Sequence, residues 1–146
     1  MNAVARWGLI LFALVGLGID AYTHLDLAHL YMGNTTGTVN QGVLFQVEAG
    51  LAIGAGLWLL VRPGVLSILA TLMITGGGAA ALVVYRYYDI GKIGPLPNMH
   101  EPIWYTKKEW SLAGELIAFA AALALLALTM AARRRSGRPV RTSVPA

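Results

Sequence analysis

The sequence predicts an all-α integral membrane protein: an antiparallel four-helix bundle, N-in and C-in, with a long outer loop between helices 3 and 4. Three observations predict it. The chain of 146 residues is 57% hydrophobic and only 12% charged, with a mean hydropathy of +0.63, whereas a soluble domain carries about 25% charged residues. Four segments reach the roughly 20 apolar residues that a spanning helix needs. The basic residues gather at one end of the predicted bundle. Residues 1–132 form the membrane domain, and residues 133–146 a basic tail.

Helix 1, about 7–31, follows Arg6 and closes with "GIDAYTHLDLAHLY". No clean small-residue cleavage site follows its apolar run, so a retained span is expected rather than a removed leader. The turn "GNTTGT" (33–38) then reads as a solvated loop, and its Asn-Thr-Thr sequon is weak evidence for glycosylation. Helix 2 covers about 43–61. The link "RPG" (62–64) is so short that helices 2 and 3 must form an antiparallel hairpin, and Pro63 suits a helix start, where its missing N–H is not needed. Helix 3 covers about 64–88 and carries Gly76, Gly77 and Gly78, a place for close helix contact or for a bend. Gly50, Gly54 and Gly56 mark the expected contact face of helix 2.

The outer segment 89–110 is stiffened by Pro95, Pro97 and Pro102 and turned by Gly91 and Gly94. Trp104 and Tyr105 favour an ordered cap over the helix ends. Helix 4 covers about 111–132 and is rich in alanine, again suited to tight packing. The tail "RRRSGRPVR" (133–141) is polar and basic, and is expected to be disordered on the cytoplasmic side.

Charge orients the bundle. Arg6, Arg62, Arg133, Arg134, Arg135, Arg138 and Arg141 fall on one side, against Arg86, Lys92, Lys107 and Lys108 on the other. The positive-inside rule then puts both termini in the cytoplasm, with the plasma (inner) membrane as the expected location. The basic tail follows a span and lacks any recognition motif, so no nucleic-acid partner is expected. The expected partner is the lipid bilayer, with a homo-oligomer or a larger membrane complex as candidates. The chain has no cysteine, which excludes disulfides and thiolate metal sites.

The acidic residues Asp20, Asp26, Glu48, Asp89, Glu101, Glu109 and Glu115 all lie in the outer half. Depth decides which need a reason, since a charge at the bilayer centre costs about 2.5–3.5 kcal/mol. Counting from the outer end of helix 1, Asp26 is roughly 6 Å deep, His24 roughly 9 Å and Asp20 roughly 15 Å. Glu48 and Glu115 lie roughly 8 Å and 6 Å inside helices 2 and 4. Asp20 and His24 share a helix face, while Asp26 and His29 lie nearly opposite and can reach outer water.

This pattern predicts a polar, metal-binding site built from Asp20, His24, Glu48 and Glu115, with His100 and Glu101 of the outer loop as further candidates. Carboxylate and imidazole suit zinc, copper, iron or manganese, a divalent transition metal in each case. Helical bundles build carboxylate sites in this way, although the E-x-x-H pairs of di-iron centres are absent. The alternative is a structural ion-pair network, with Arg86 neutralising Glu48 or Glu115 and Asp20 pairing with His24, in an accessory or assembly subunit of a larger complex. Proton-coupled or cation transport is a further alternative, opposed by the apolar inner halves of helices 1 and 2. A quinone or lipid pocket near Tyr85–Tyr88 is another. Whether the protein is an enzyme is left open.

Overall fold

The structure, a computed structural model, describes residues 2–136. The described residues contain four α-helices: α1 (Ala3–Ala28), α2 (Gln41–Val61), α3 (Val65–Tyr87) and α4 (Thr106–Ser136). A single 3-10 turn, His29–Tyr31, extends α1. All four helices are long and apolar enough to cross a membrane, and they fit a small multi-pass membrane protein.

α1 and α2 begin where a side chain supplies a hydrogen-bond acceptor for the first turn. Asn2 caps α1 by accepting from the Ala5 N–H at 2.8 Å, and Asn40 caps α2 by accepting from the Val43 N–H at 2.8 Å. At α3 the Ser67 hydroxyl accepts from the Gly64 N–H at 3.0 Å, so the cap is Gly64 and Pro63 lies just before it. The Pro63 carbonyl instead accepts from the Arg6 guanidinium at 2.6 Å, tying the start of α1 to the α2–α3 turn. We call this the turn end of the bundle and the opposite one the loop end.

α4 differs from expectation at both ends. It starts at Thr106, because the polar stretch 106–110 continues the helix in spite of its charges. It also runs through Ser136, so Arg133, Arg134 and Arg135 form its last turn, where positive side chains face the negative helix end. Residues 133–136 of the expected disordered tail are therefore helical. Residues 137–146 lie outside the described ones. α3 runs unbroken through its three glycines.

α1 packs against α4 and α2, and α3 against α4 and, least extensively, α2. Small residues make the closest crossing. A Cβ on Gly16 would meet the Gly114 carbonyl and Ala118, and one on Gly114 would meet the Gly16 carbonyl at 2.8 Å. The contact face of α2 is not the expected one. Gly50 and Gly54 face open space, and the helix packs instead through Ala49, Ala52, Ala55 and Gly56.

The core is layered. Ile10, Leu59, Ile68, Ala122 and Leu125 form a buried apolar cluster. Leu17, Ala21, Ala49, Ala52 and Ala118 form a second one. The outward faces carry large apolar side chains such as Phe12, Leu57, Met73 and Leu123. Small residues inside and large apolar ones outside is the pattern of helices packed in lipid. Buried Thr71 and Thr75 donate to carbonyls four residues back on α3, at 3.0 and 2.8 Å, and so need no partner elsewhere.

At the loop end, residues 88–105 are stitched to the α1–α2 connection. The Val39 N–H donates to the Pro95 carbonyl at 3.0 Å, and the Asn98 N–H to the Thr36 hydroxyl at 2.8 Å. The Asn34 amide donates to the Asn98 carbonyl at 2.9 Å and to Gln41 Oε1 at 2.6 Å. Gly37 touches the Pro95–Pro97 backbone so closely that a Cβ would not fit. The stretch 33–38, expected to be a solvated loop, is thus the seat of the second loop, and the sequon's Asn34 amide is already engaged. Asp89 accepts from the Asn98 amide at 2.9 Å and the Gly91 N–H at 3.2 Å, bonds that hold its carboxyl below the usual range.

Candidate functional site

Between the α1–α4 contact and the loops, four ionisable groups converge. Asp20 is fully buried, because its position on α1 shares the inward stripe of Leu17 and Thr23. One turn on, His24 brings Nδ1 to 2.8 Å from Asp20 Oδ1, as the i, i+4 spacing allows. The edge of Phe45 from α2 holds the other side of this ring, at 5.2 Å between centroids. α4 contributes Glu115, only 1% exposed, and Ser111 one turn earlier. The Ser111 hydroxyl donates to Asp20 Oδ1 at 3.4 Å.

One ligand-capable atom from each of Asp20, His24 and Glu115 lies within 4.8 Å of the others. Glu48 of α2 adds a third carboxylate. The glycine in α3 makes room for both glutamates: a Cβ on Gly78 would collide with Glu115 Oε1 and stand 3.3 Å from Glu48 Oε1. The sequence pointed to the triple glycine as a contact or a bend; its middle member, Gly77, faces open space, and Gly78 makes room for the acidic cluster.

The cluster's polar atoms are unmatched. Asp20 Oδ2, Glu48 Oε1 and both Glu115 oxygens are buried without a hydrogen-bond partner. Buried carboxylate oxygens are normally paired, because an unmet acceptor costs about 1–3 kcal/mol and more if charged. Among the described residues, no Lys or Arg pairs with Asp20, Glu48 or Glu115. Arg86 is directed elsewhere, its guanidinium lying over Tyr87 at 5.0 Å and Trp104 at 5.5 Å. Lys108, 9% exposed, donates to the carbonyls of Glu101 at 2.8 Å and Ile103 at 3.2 Å. Lys107 pairs with Asp26 at the loop end, and His29 is exposed.

The loop candidates sit apart from this cluster. The His100 Nδ1 atom is 2.9 Å from the Tyr85 carbonyl, which anchors the ring against α3. Glu101 accepts from the Tyr31 hydroxyl at 3.5 Å, and that hydroxyl is 3.0 Å from the Tyr105 hydroxyl. Burial, then the Tyr31 hydroxyl and the Glu101 charge, push the Tyr105 phenol well above its ordinary value.

A cavity of about 300 Å³ joins these two levels. Glu48, Glu115, His24 and Ser111 line it toward the bundle centre, and Tyr31, Glu101, Tyr105 and Lys108 toward the loops. The walls between are apolar, with Leu44, Phe45, Leu82 and Met99. Sequence reasoning missed Ser111, Lys108 and Gly78. Ser111 and Lys108 share with Glu115 the spacing of one helical face (108, 111, 115), a signal that an earlier start of helix 4 would have exposed.

Chemically, the cluster offers oxygen and imidazole donors without sulfur, a donor set for a hard or borderline divalent cation. Ligand bonds to zinc are about 2.0–2.2 Å, so donor atoms spread over as much as 4.8 Å would have to draw together to share an ion. No protein-family model, curated protein or solved structure matches the chain.

Proposed function

We propose that this is a small multi-pass membrane protein that holds a divalent transition metal between α1 and α4, with Asp20, His24 and Glu115 as ligands and Glu48 as the carboxylate next to them. The observation that carries the reading is the convergence of those three donors within 4.8 Å, with Asp20 Oδ2, Glu48 Oε1 and both Glu115 oxygens left buried and unpartnered. Two carboxylates and a neutral imidazole around a divalent ion leave no net charge, which removes the penalty of burying them. The structural ion-pair network loses its main cation, since Arg86 stacks on aromatic rings. His100 and Glu101 belong to the cap over the site rather than to the ligand set.

The proposal includes an antiparallel bundle with both termini on the cytoplasmic face of the plasma membrane. Arg6, Arg62 and Arg133–Arg135 then face the cytoplasm, and the cavity and its loops face the other side. Direct contact of the Arg6 side chain with the α2–α3 turn supports that arrangement. Toward the turn end the core is apolar, which favours a one-sided site over a conducting path.

The test is a titration of the purified, chelator-treated protein in detergent with zinc, manganese, iron(II) and copper(II), followed by X-ray absorption of the tightest complex. The reading predicts saturable binding with oxygen and one imidazole in the ligand shell, abolished in His24→Ala. A shell without imidazole, or undiminished binding by His24→Ala, would overturn it.

A further inference from the structure

The cavity has a chemical polarity that a metal alone does not use. Its deep wall is acidic, its sides are apolar and aromatic, and the cations nearest to it are committed to loop carbonyls or to aromatic rings. We infer that the cavity binds a lipophilic organic cation, an amine with an apolar body, whose ammonium head sits beside Glu48.

Glu115, 1% exposed, lines the cavity with both carboxylate oxygens unpartnered. Glu48 lines it from the facing helix, and its Oε1 is likewise buried and unpartnered. The inference rests on the same cluster as the metal reading and deepens it. Asp20 and Glu115 balance a divalent ion, and Glu48 then remains as one negative charge without a cation. An ammonium group matches that charge and donates the hydrogen bonds that Glu48 lacks. The rings of Tyr31, Phe45, Tyr85 and Tyr105 line the same space, and aromatic faces attract ammonium groups.

The size and the access route point to the same class. A volume of about 300 Å³ stands at the lower end for small-molecule sites, enough for an ammonium head with a ring or a short chain. Val47 and Ala81 line the cavity and are also exposed on the surfaces of α2 and α3, the neighbouring helices that touch each other least. A gap between these apolar helix faces would admit a lipophilic amine from the lipid in which it concentrates.

The experiment compares three probes that share one body, phenylbutylamine, phenylbutanol and phenylbutanoate, by calorimetry on detergent-purified protein, both chelator-treated and zinc-loaded. The amine is expected to bind about tenfold more tightly than either other probe or better. Glu48→Gln is expected to erase that preference. Ala81→Trp keeps every acidic group and narrows the opening, and should weaken amine binding by about tenfold. Equal binding of the three probes, no binding of the amine by wild type, or unchanged amine binding in Ala81→Trp would overturn the inference. Loss of zinc binding with amine selectivity intact would remove the metal reading alone. Zinc binding without amine selectivity would remove this one alone.

Discussion

His24 and Asp20 face each other one helical turn apart on α1, with Nδ1 of the imidazole 2.8 Å from Oδ1 of the carboxylate. The contact sits where the helix would otherwise be apolar, and its second acceptor, Oδ2 of Asp20, has no partner. A pair that served only itself would leave that oxygen and both oxygens of Glu115 unmet. A bound divalent ion would meet them.

Ser111 donates to the same Asp20 oxygen from α4. Ser111→Ala removes a hydrogen bond from a ligand and leaves the ligand itself in place. It should lower zinc affinity by about 10-fold to 100-fold, the usual effect of a lost supporting contact. The melting temperature should stay close to wild type. Competition against a chelating dye reads the first quantity, and thermal unfolding in detergent the second.

Gly78→Ala and Gly77→Ala are neighbours with opposite expected outcomes. A Cβ at position 78 displaces the Glu115 carboxylate and crowds Glu48, whereas one at 77 meets open space. Gly78→Ala should therefore lose most metal binding while the helices stay assembled, because the displaced group is the far end of a side chain. Gly77→Ala should bind as wild type does. Metal titration of both variants distinguishes them.

At the α1–α4 crossing the obstacle is backbone. Gly16→Ala would push against the Gly114 carbonyl and the Ala118 backbone, and should cost about 1–3 kcal/mol, as overpacking does. Gly18→Ala, where nothing lies within 4 Å, should cost far less. Unfolding in graded detergent or denaturant gives both values.

Tyr105 makes a prediction about alkaline pH. Its phenol is pushed above the ordinary value of about 10 by burial, the Tyr31 hydroxyl and the Glu101 charge. The folded state thus holds this proton more tightly than the unfolded chain does. Its stabilising effect is fully present below about pH 10 and is lost as the pH climbs from there toward the folded value. Tyr105→Phe should flatten that part of the stability profile. Melting temperatures between neutral and strongly alkaline pH measure it.

The sequence carried the four spans in its apolar lengths, and the depth argument singled out Asp20, His24, Glu48 and Glu115, which the fold gathers. Helix spacing made Asp20 and His24 neighbours before any coordinates did. The start of α4 was not legible, since the charges at 107–109 read as loop when their helical face, shared with Ser111 and Glu115, is ignored. The destination of Arg86 was also hidden, because Trp104, which it stacks on, comes from a loop of unpredictable path. The cavity needed three-dimensional coordinates, as its walls come from all four helices and from Leu96, Met99 and Glu101 of the loop. Asn34 looked solvated because its partner, Asn98, lies far along the chain.

The most direct measurement of the central claim is the metal content per chain of wild type and Glu115→Gln, purified from membranes without added chelator and measured by elemental mass spectrometry. The account predicts about one transition-metal ion per folded wild-type chain and a near-complete loss in Glu115→Gln, because Glu115 supplies one of the three donors and one of the two charges that balance the ion. A folded wild-type protein with no more metal than the Glu115→Gln variant would contradict it.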